Sequence, residues 1–229
     1  ILADEDFRFG GRLNAETLEV GGQSGADWAA SAVAELSALP NVRLMLRTTI
    51  VGAFDHGIYG AVERVSDHLP VPAKGKPRQT LWRIYSRRAI LAGGATERPI
   101  AFENNDRPGV MLAGALRAYA NRWGVAVGHR AAVFTNNDDG LRTAADLKAR
   151  GIEVRVIDSR LGEEVVDTSG RLGLKSVTIR KDGRTETFAC DALGVSGGWN
   201  PNVNITSHHR SRPDRDLCLR RAGGFGRLE

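Results

Sequence analysis

Ala89-Ile90-Leu91-Ala92-Gly93-Gly94-Ala95-Thr96-Glu97-Arg98-Pro99 is the stretch from which the rest of the chain can be read. Four apolar residues stop at two glycines, the pattern of a buried strand whose backbone meets something that leaves no room for a side chain. Downstream, Glu97-Arg98-Pro99 breaks any helix, Arg107-Pro108-Gly109 makes a turn, and residues 110–119 resume a helical spacing. The strand is therefore expected to empty into a long ordered crossing segment.

Around this stretch the chain has room for one large domain or two small ones: 229 residues, 41% hydrophobic and 26% charged, with 27 glycines that imply many tight turns. The 32 basic residues outnumber 27 acidic ones, but the two signs interleave along most of the chain. This describes a solvated surface rather than a nucleic-acid footprint. Only the tail from Arg210 onward is locally rich in arginine. Cys190 and Cys218 are too few and too far apart for a disulfide framework or a Cys-x-x-Cys metal site, so reduced thiols and a cytoplasmic setting are expected. No apolar run approaches the length of a membrane helix. The chain opens on Ile1 with no methionine, and the expectation is that an upstream part of the protein precedes it.

Residues 1–3 read as the end of a strand, Asp4-Glu5-Asp6 as its acidic carboxyl tip and Gly10-Gly11 as a turn beyond. In a dinucleotide fold an acid at such a tip accepts hydrogen bonds from the adenosine ribose and repels a 2′-phosphate, so Asp4 with Glu5 favours NAD or FAD over NADP. Without a ligand the same residues are a polar strand end. Residues 21–25, Gly-Gly-Gln-Ser-Gly, lack both the preceding strand and the spacing of a phosphate loop. Asp27 is read as the cap of a helix that Pro40 stops. Residues 41–54 read as one or two strand segments, in which Val51 either faces an adenine or joins the core. Residues 59–65 and 80–85 then form a β-hairpin around a solvated loop carrying Lys74 and Lys76.

A second unit follows: strand 131–135, turn Asn136-Asn137-Asp138-Asp139-Gly140, helix 141–150 capped by Gly151, and strand 153–157 ending in Asp158. Its plan is that of a nucleotide-binding βαβ, yet the turn holds one glycine where the fingerprint needs three. Asp138 and Asp139 also put negative charge where phosphate would lie. The unit is expected to keep the fold and lose the usual ligand mode. A second hairpin, residues 174–180 and 185–189 around Lys181-Asp182-Gly183-Arg184, leads to another apolar strand ending in paired glycines, Gly197-Gly198, with Pro201 beyond. One hairpin per βαβ unit indicates an internal duplication.

Taken together, Ala92 to Phe102, Asn105 to Ala115, Val133 to Gly140 and Gly194 to Asn202 resemble the α subunits of heterotetrameric sarcosine oxidases, within the two-dinucleotide-binding-domain flavoproteins of glutathione reductase type. Opine dehydrogenase and cyanide synthase subunits share signatures of the Glu97-Arg98-Pro99 and Pro108-Gly109-Val110-Met111 kind, whereas the 136–140 turn fits sarcosine oxidase better. The resemblance covers residues 1–209 and the middle of a longer subunit. It implies an α/β fold of two nested Rossmann-like domains with β-hairpin insertions, the first strand and G-x-G-x-x-G turn missing. Residues 1–127 would form an incomplete first dinucleotide domain, 128–187 a degenerate second one, 188–209 a return to the first, and 210–229 an atypical tail.

The implied activity is oxidative demethylation of sarcosine to glycine, formaldehyde or methylene-tetrahydrofolate, and hydrogen peroxide. The implied cofactors are NAD on this chain, FAD and FMN mainly on a partner subunit, and tetrahydrofolate in an absent downstream domain. Asp4, Glu5, Gly10, Gly11, Val51, Gly93 and Gly94 are the expected cofactor-binding residues. No catalytic residue is expected in this chain, because chemistry of this kind belongs to the cofactor. No metal site is expected, since His208-His209 has no acid or cysteine at ligand spacing. Partners would be the other subunits and a methylated amine, with neither nucleic acid nor membrane. A related FAD-dependent amino-acid or opine dehydrogenase subunit, and a non-catalytic scaffold with decayed nucleotide sites, are the alternatives.

Overall fold

The computed structural model describes residues 1–72 and 74–209. The first half of the chain gives β1 (Leu2–Ala3), β2 (Glu19–Val20), β3 (Gln23–Ser24), α1 (Gly25–Ser37), β4 (Leu44–Met45), β5 (Thr48–Phe54), β6 (Ile58–Arg64), β7 (Gln79–Tyr85) and β8 (Ala95–Glu97). The second half gives β9 (Val110–Leu112), α2 (Ala113–Trp123), β10 (Arg130–Thr135), α3 (Asp138–Ala149), β11 (Glu153–Asp158), β12 (Glu163–Ser169), β13 (Ser176–Lys181), β14 (Arg184–Ala189), β15 (Ala192–Ser196) and β16 (Trp199–Pro201). These sort into two compact units. One comprises Ile1–Gly11, Asp27–Ala95 and the described residues from Pro201 on; the other comprises Arg12–Ala26 and Thr96–Asn200.

In the second unit β11-β10-β15-β9 form a parallel sheet. Its central strand β10 is apolar without a break from Ala131 to Phe134 because both of its faces are covered. Alternation assigns the two faces. Ala132 and Phe134, with Leu193 and Val195 of β15, meet Val165, Val177 and Ile179 of the antiparallel β12-β13-β14 sheet. Ala131 and Val133 meet Leu116 and Ala120 of α2 and Ala144 and Leu147 of α3. Each fully buried Leu, Ile or Val contributes about 1.5–3 kcal/mol relative to exposure. The sheet is thus held between a meander and a helical layer.

The β13–β14 hairpin closes through Asp182 and Gly183, both at positive φ (50° and 75°), as a two-residue turn compatible with strand twist requires. The helix after β10 begins at Asp138, three residues before the expected start, because the Asn137 side chain caps it by accepting from the Asp139 and Gly140 amides. The strand β12 was not legible in the sequence. Burial alternates from Glu163 to Val165 and then slips by one residue at a bulge to Thr168, and the charges at Glu163, Glu164 and Asp167 hide the apolar signal.

In the first unit β1 and β4 pair in parallel, and β5-β6-β7 form an antiparallel meander with a bulge between Ile50 and Gly52. Three expectations are corrected. Residues 89–92 belong to no sheet, and Ile90 is 73% exposed: an apolar run becomes a strand only where a neighbour accepts its backbone bonds, and the described residues supply none. Residues 110–112 are strand rather than helix, since Val110, Met111 and Leu112 pair with β15. Helix α1 starts at Gly25, placing Asp27 inside its first turn, where its charge still suits the helix dipole.

Candidate functional site

The expected cofactor residues all lie in the first unit. Asp4 follows β1 directly. Its amide donates to Met45 O at 2.9 Å and its carbonyl accepts from Thr48 N at 2.8 Å, so the strand tip is fixed by main-chain bonds before any ligand is considered. Its carboxylate Oδ1 accepts from the Asp6 amide at 2.9 Å, and no described group donates to Oδ2. Glu5 is exposed, its carbonyl accepting from Arg64 Nη2. Gly10 and Gly11 turn the chain at φ of 118° and 52°, values that favour glycine.

Gly93 and Gly94 are exposed, with Gly94 at φ 65°. Both carbonyls are bound by Asn202, through Nδ2 to Gly93 O and through the amide to Gly94 O, each at 2.9 Å. A Cβ on Gly94 would meet nothing within 4 Å, so the glycine serves the turn rather than a close neighbour in the protein. Val51 sits at the β5 bulge and is 51% exposed, which disposes of its reading as a core valine.

The second unit holds a cluster that the sequence did not announce, at the carboxyl ends of β10 and β15. Here the turn enters α3, the place where open α/β sheets bind phosphates. The Asp139 and Gly140 amides are used by the Asn137 side chain, and Asp139 itself supplies the anion. Its carboxylate accepts from Arg12 and Arg117 at 3.0 and 3.2 Å and from the Trp199 indole at 3.0 Å, with Arg142 at 3.1 Å. The Arg12 guanidinium also lies 4.1 Å over the Trp199 ring. Burial opposes this charge, but Arg117 and Arg12 outweigh it and hold the Asp139 carboxyl below its ordinary value.

Gly140 is the one glycine of this turn, and its role is packing: a Cβ there would fall 2.5 Å from Thr135 Cβ. Segment 98–99 lies over the end of β15, since a Cβ on Gly197 would sit 3.0 Å from both the Arg98 and Pro99 carbonyls. This edge of the sheet is filled by its own chain.

Glu97 is 6% exposed. Its Oε2 accepts from the Gly114 amide at the start of α2, at 2.7 Å, and its Oε1 has no hydrogen-bond partner. Burial pushes its carboxyl above the ordinary value, against the hydrogen bond from the Gly114 amide. Arg117, with Leu116 and Ala120 on the buried side of α2, carries the one clue that sequence offered: a cation at core-facing spacing in an amphipathic helix demands a buried anion. Among the described residues no group of three or more His, Cys, Asp or Glu side chains is placed to hold a metal ion. The side chains of His208 and His209, and Cys218 with the arginine-rich tail, lie outside the described residues. No described helix is long and apolar enough to cross a membrane.

No protein-family model matches the chain. It is 42% identical over 228 residues to sarcosine oxidase subunit alpha of Rhizobium meliloti (strain 1021), covering 93% of this chain and 23% of that protein. It is 39% identical over 240 residues to sarcosine oxidase subunit alpha of Corynebacterium sp. (strain P-1), covering 93% and 25%. The chain thus spans about a quarter of the length of these relatives. Among solved structures, L-proline dehydrogenase from P. horikoshii superposes with a TM-score of 0.74 at 24% identity, over 92% of this chain and 39% of that one. Thioredoxin reductase from Lactococcus lactis gives 0.62 at 14% identity, over 90% and 71%. The fold is that of the two-dinucleotide-binding-domain FAD/NAD(P) oxidoreductases.

Proposed function

We propose, from its relation to the sarcosine oxidase α subunits, that this chain is the NAD-holding part of an oxidoreductase subunit acting in the oxidative demethylation of sarcosine. In that reaction sarcosine, water and oxygen give glycine, formaldehyde and hydrogen peroxide. The redox step belongs to a flavin expected on a partner subunit, and the role of this chain is to bind a dinucleotide and to assemble.

The observation that carries the nucleotide assignment is Asp4. It is a carboxylate at the carboxyl tip of a parallel strand, held by main-chain bonds, with Oδ2 left to accept from a ribose hydroxyl. Glu5, the positive-φ turn at Gly10 and Gly11, and Val51 would complete the adenosine side, with exposed Gly93 and Gly94 allowing close backbone approach. The second unit is not the dinucleotide site in this reading, because Asp139 and Asn137 already use the anion and donor positions at α3.

Titration of the full-length subunit with NAD tests the assignment. Asp4→Ala is expected to weaken NAD at least tenfold, the loss of a charge-assisted pair, while Asp139→Asn leaves it unchanged once folding is accounted for. Undiminished affinity in Asp4→Ala would overturn it. A non-catalytic scaffold is the second reading, favoured by the same Asp139 arrangement. It predicts no NAD-induced thermal shift at all.

A further inference from the structure

We infer that the open face of the β5-β6-β7 meander is the docking surface for a separate polypeptide that presents an apolar centre flanked by carboxylates. The inference rests on reading the chain as part of a subunit, and names where the partner sits. Residues opposite one another in an antiparallel sheet share a face. The register sets Leu81 opposite Val62, Arg83 opposite Gly60, and both Tyr85 and Phe54 opposite Ile58. The other face carries Ala53 and Ala61, which are buried.

On the open side Leu81 is 74% exposed, Tyr85 67% and Phe54 55%. The Phe54 ring lies flat over the sheet, since a Cβ on Gly52 would come 2.8 Å from its Cζ and one on Gly60 3.3 Å from its Cε2. Two glycines, a flattened ring and Val51, 3.6 Å from a Cβ built on Gly60, make an apolar shelf whose Val51 edge borders the proposed adenosine side. A shelf of this kind left in water marks an interaction site.

Charge decides the occupant. Arg83 stands within the shelf, and Arg87 and Arg88 follow β7 after Ser86; all three are exposed, and their guanidiniums have no ion-pair or hydrogen-bond partner among the described residues. Unpaired guanidiniums beside tyrosine and phenylalanine are the composition of a protein interface, and their fork geometry matches carboxylates. A lipid surface would instead be met by apolar residues protruding at a loop tip, whereas these lie along a flat sheet.

The test places a photo-crosslinking benzoylphenylalanine at Leu81 in the full-length subunit, purified as its complete hetero-oligomer. The expected product joins Leu81's position to a different polypeptide of that assembly, within a segment bearing Asp or Glu. Arg83→Glu should weaken assembly at least tenfold, most strongly at low salt, and Arg83→Lys much less. A cross-link back into the same chain or to a second copy, sedimentation of the subunit with anionic phosphatidylserine vesicles that Arg83→Glu abolishes, or assembly indifferent to Arg83→Glu, each overturns the inference. Absence of NAD binding in the unmodified subunit would bear on the proposed function alone.

Discussion

Arg117 and Asp139 form a buried pair joining α2 to α3. The two residues are 3% and 7% exposed, Arg117 Nη1 lies 3.2 Å from Asp139 Oδ1, and Nη2 donates to the Asp139 carbonyl at 2.6 Å. Asp139 Oδ1 also has Arg142 at 3.1 Å, but the Arg142 side chain is 56% exposed. Burial, rather than distance, separates the energetic weight of the two arginines.

Arg117→Met is accordingly expected to lower the unfolding free energy by about 1–3 kcal/mol, the cost of taking one buried charged partner from a carboxylate that keeps Arg12 and Trp199. Arg142→Ala should cost less than about 1 kcal/mol. Urea denaturation of both variants checks the contrast, and equal losses would refute it. Asp139 is held below its ordinary value, so its contribution is present above the unfolded-state carboxylate range and is lost as pH falls through the folded value. The deficit of Arg117→Met should therefore shrink on acidification below about pH 4.

Gly140→Ala is expected to cost about 1–3 kcal/mol, because its methyl would press on Thr135, which is fully buried and bonded to Asn137. A melting temperature equal to that of the parent would show that the helix shifts freely on the strand.

Glu97 behaves in the opposite sense to Asp139. With its carboxyl pushed up by burial, the stability it allows is full below the unfolded value and declines as pH rises through the folded one. Glu97→Gln keeps an acceptor for the Gly114 amide and removes the ionisation, so the variant should match the parent near pH 4 and exceed it near pH 8 in thermal melts. Glu97→Ala leaves that amide unpaired and should cost about 1–3 kcal/mol at both. A Glu97→Gln difference that does not vary with pH would remove the basis for this account.

Cys190 should be inert. Burial, with Asp191 adding to it, pushes its thiol up to about 11, so at pH 8 only about one molecule in a thousand carries the reactive thiolate. Iodoacetamide labelling of the folded protein at pH 8, read by peptide mass spectrometry, should leave Cys190 unmodified until denaturant is added. Rapid labelling of the native state would contradict the packing of this residue between β13 and the sheet.

Local chemistry made much of the fold legible from residues alone. The β10–α3–β11 unit followed from an unbroken apolar run, an Asn-Asn-Asp-Asp-Gly turn and Gly151 after the helix, and the second hairpin followed from Asp182-Gly183, because backbone preferences and hydrophobic period travel with the chain. The acid at the β1 tip and the paired acids of the 136–140 turn were readable for the same reason. What decided the rest was distance in space. Arg12 reaches Asp139 across 127 residues of chain, Glu97 finds the Gly114 amide, residues 110–112 become a strand because β15 offers an edge, and residues 89–92 do not because none of the described residues offers them one. Ion pairs and sheet ladders act over a few ångströms, and although Arg117 on the buried side of α2 calls for an anion, which residues meet is not written along the sequence, so only tertiary structure assigns the partners.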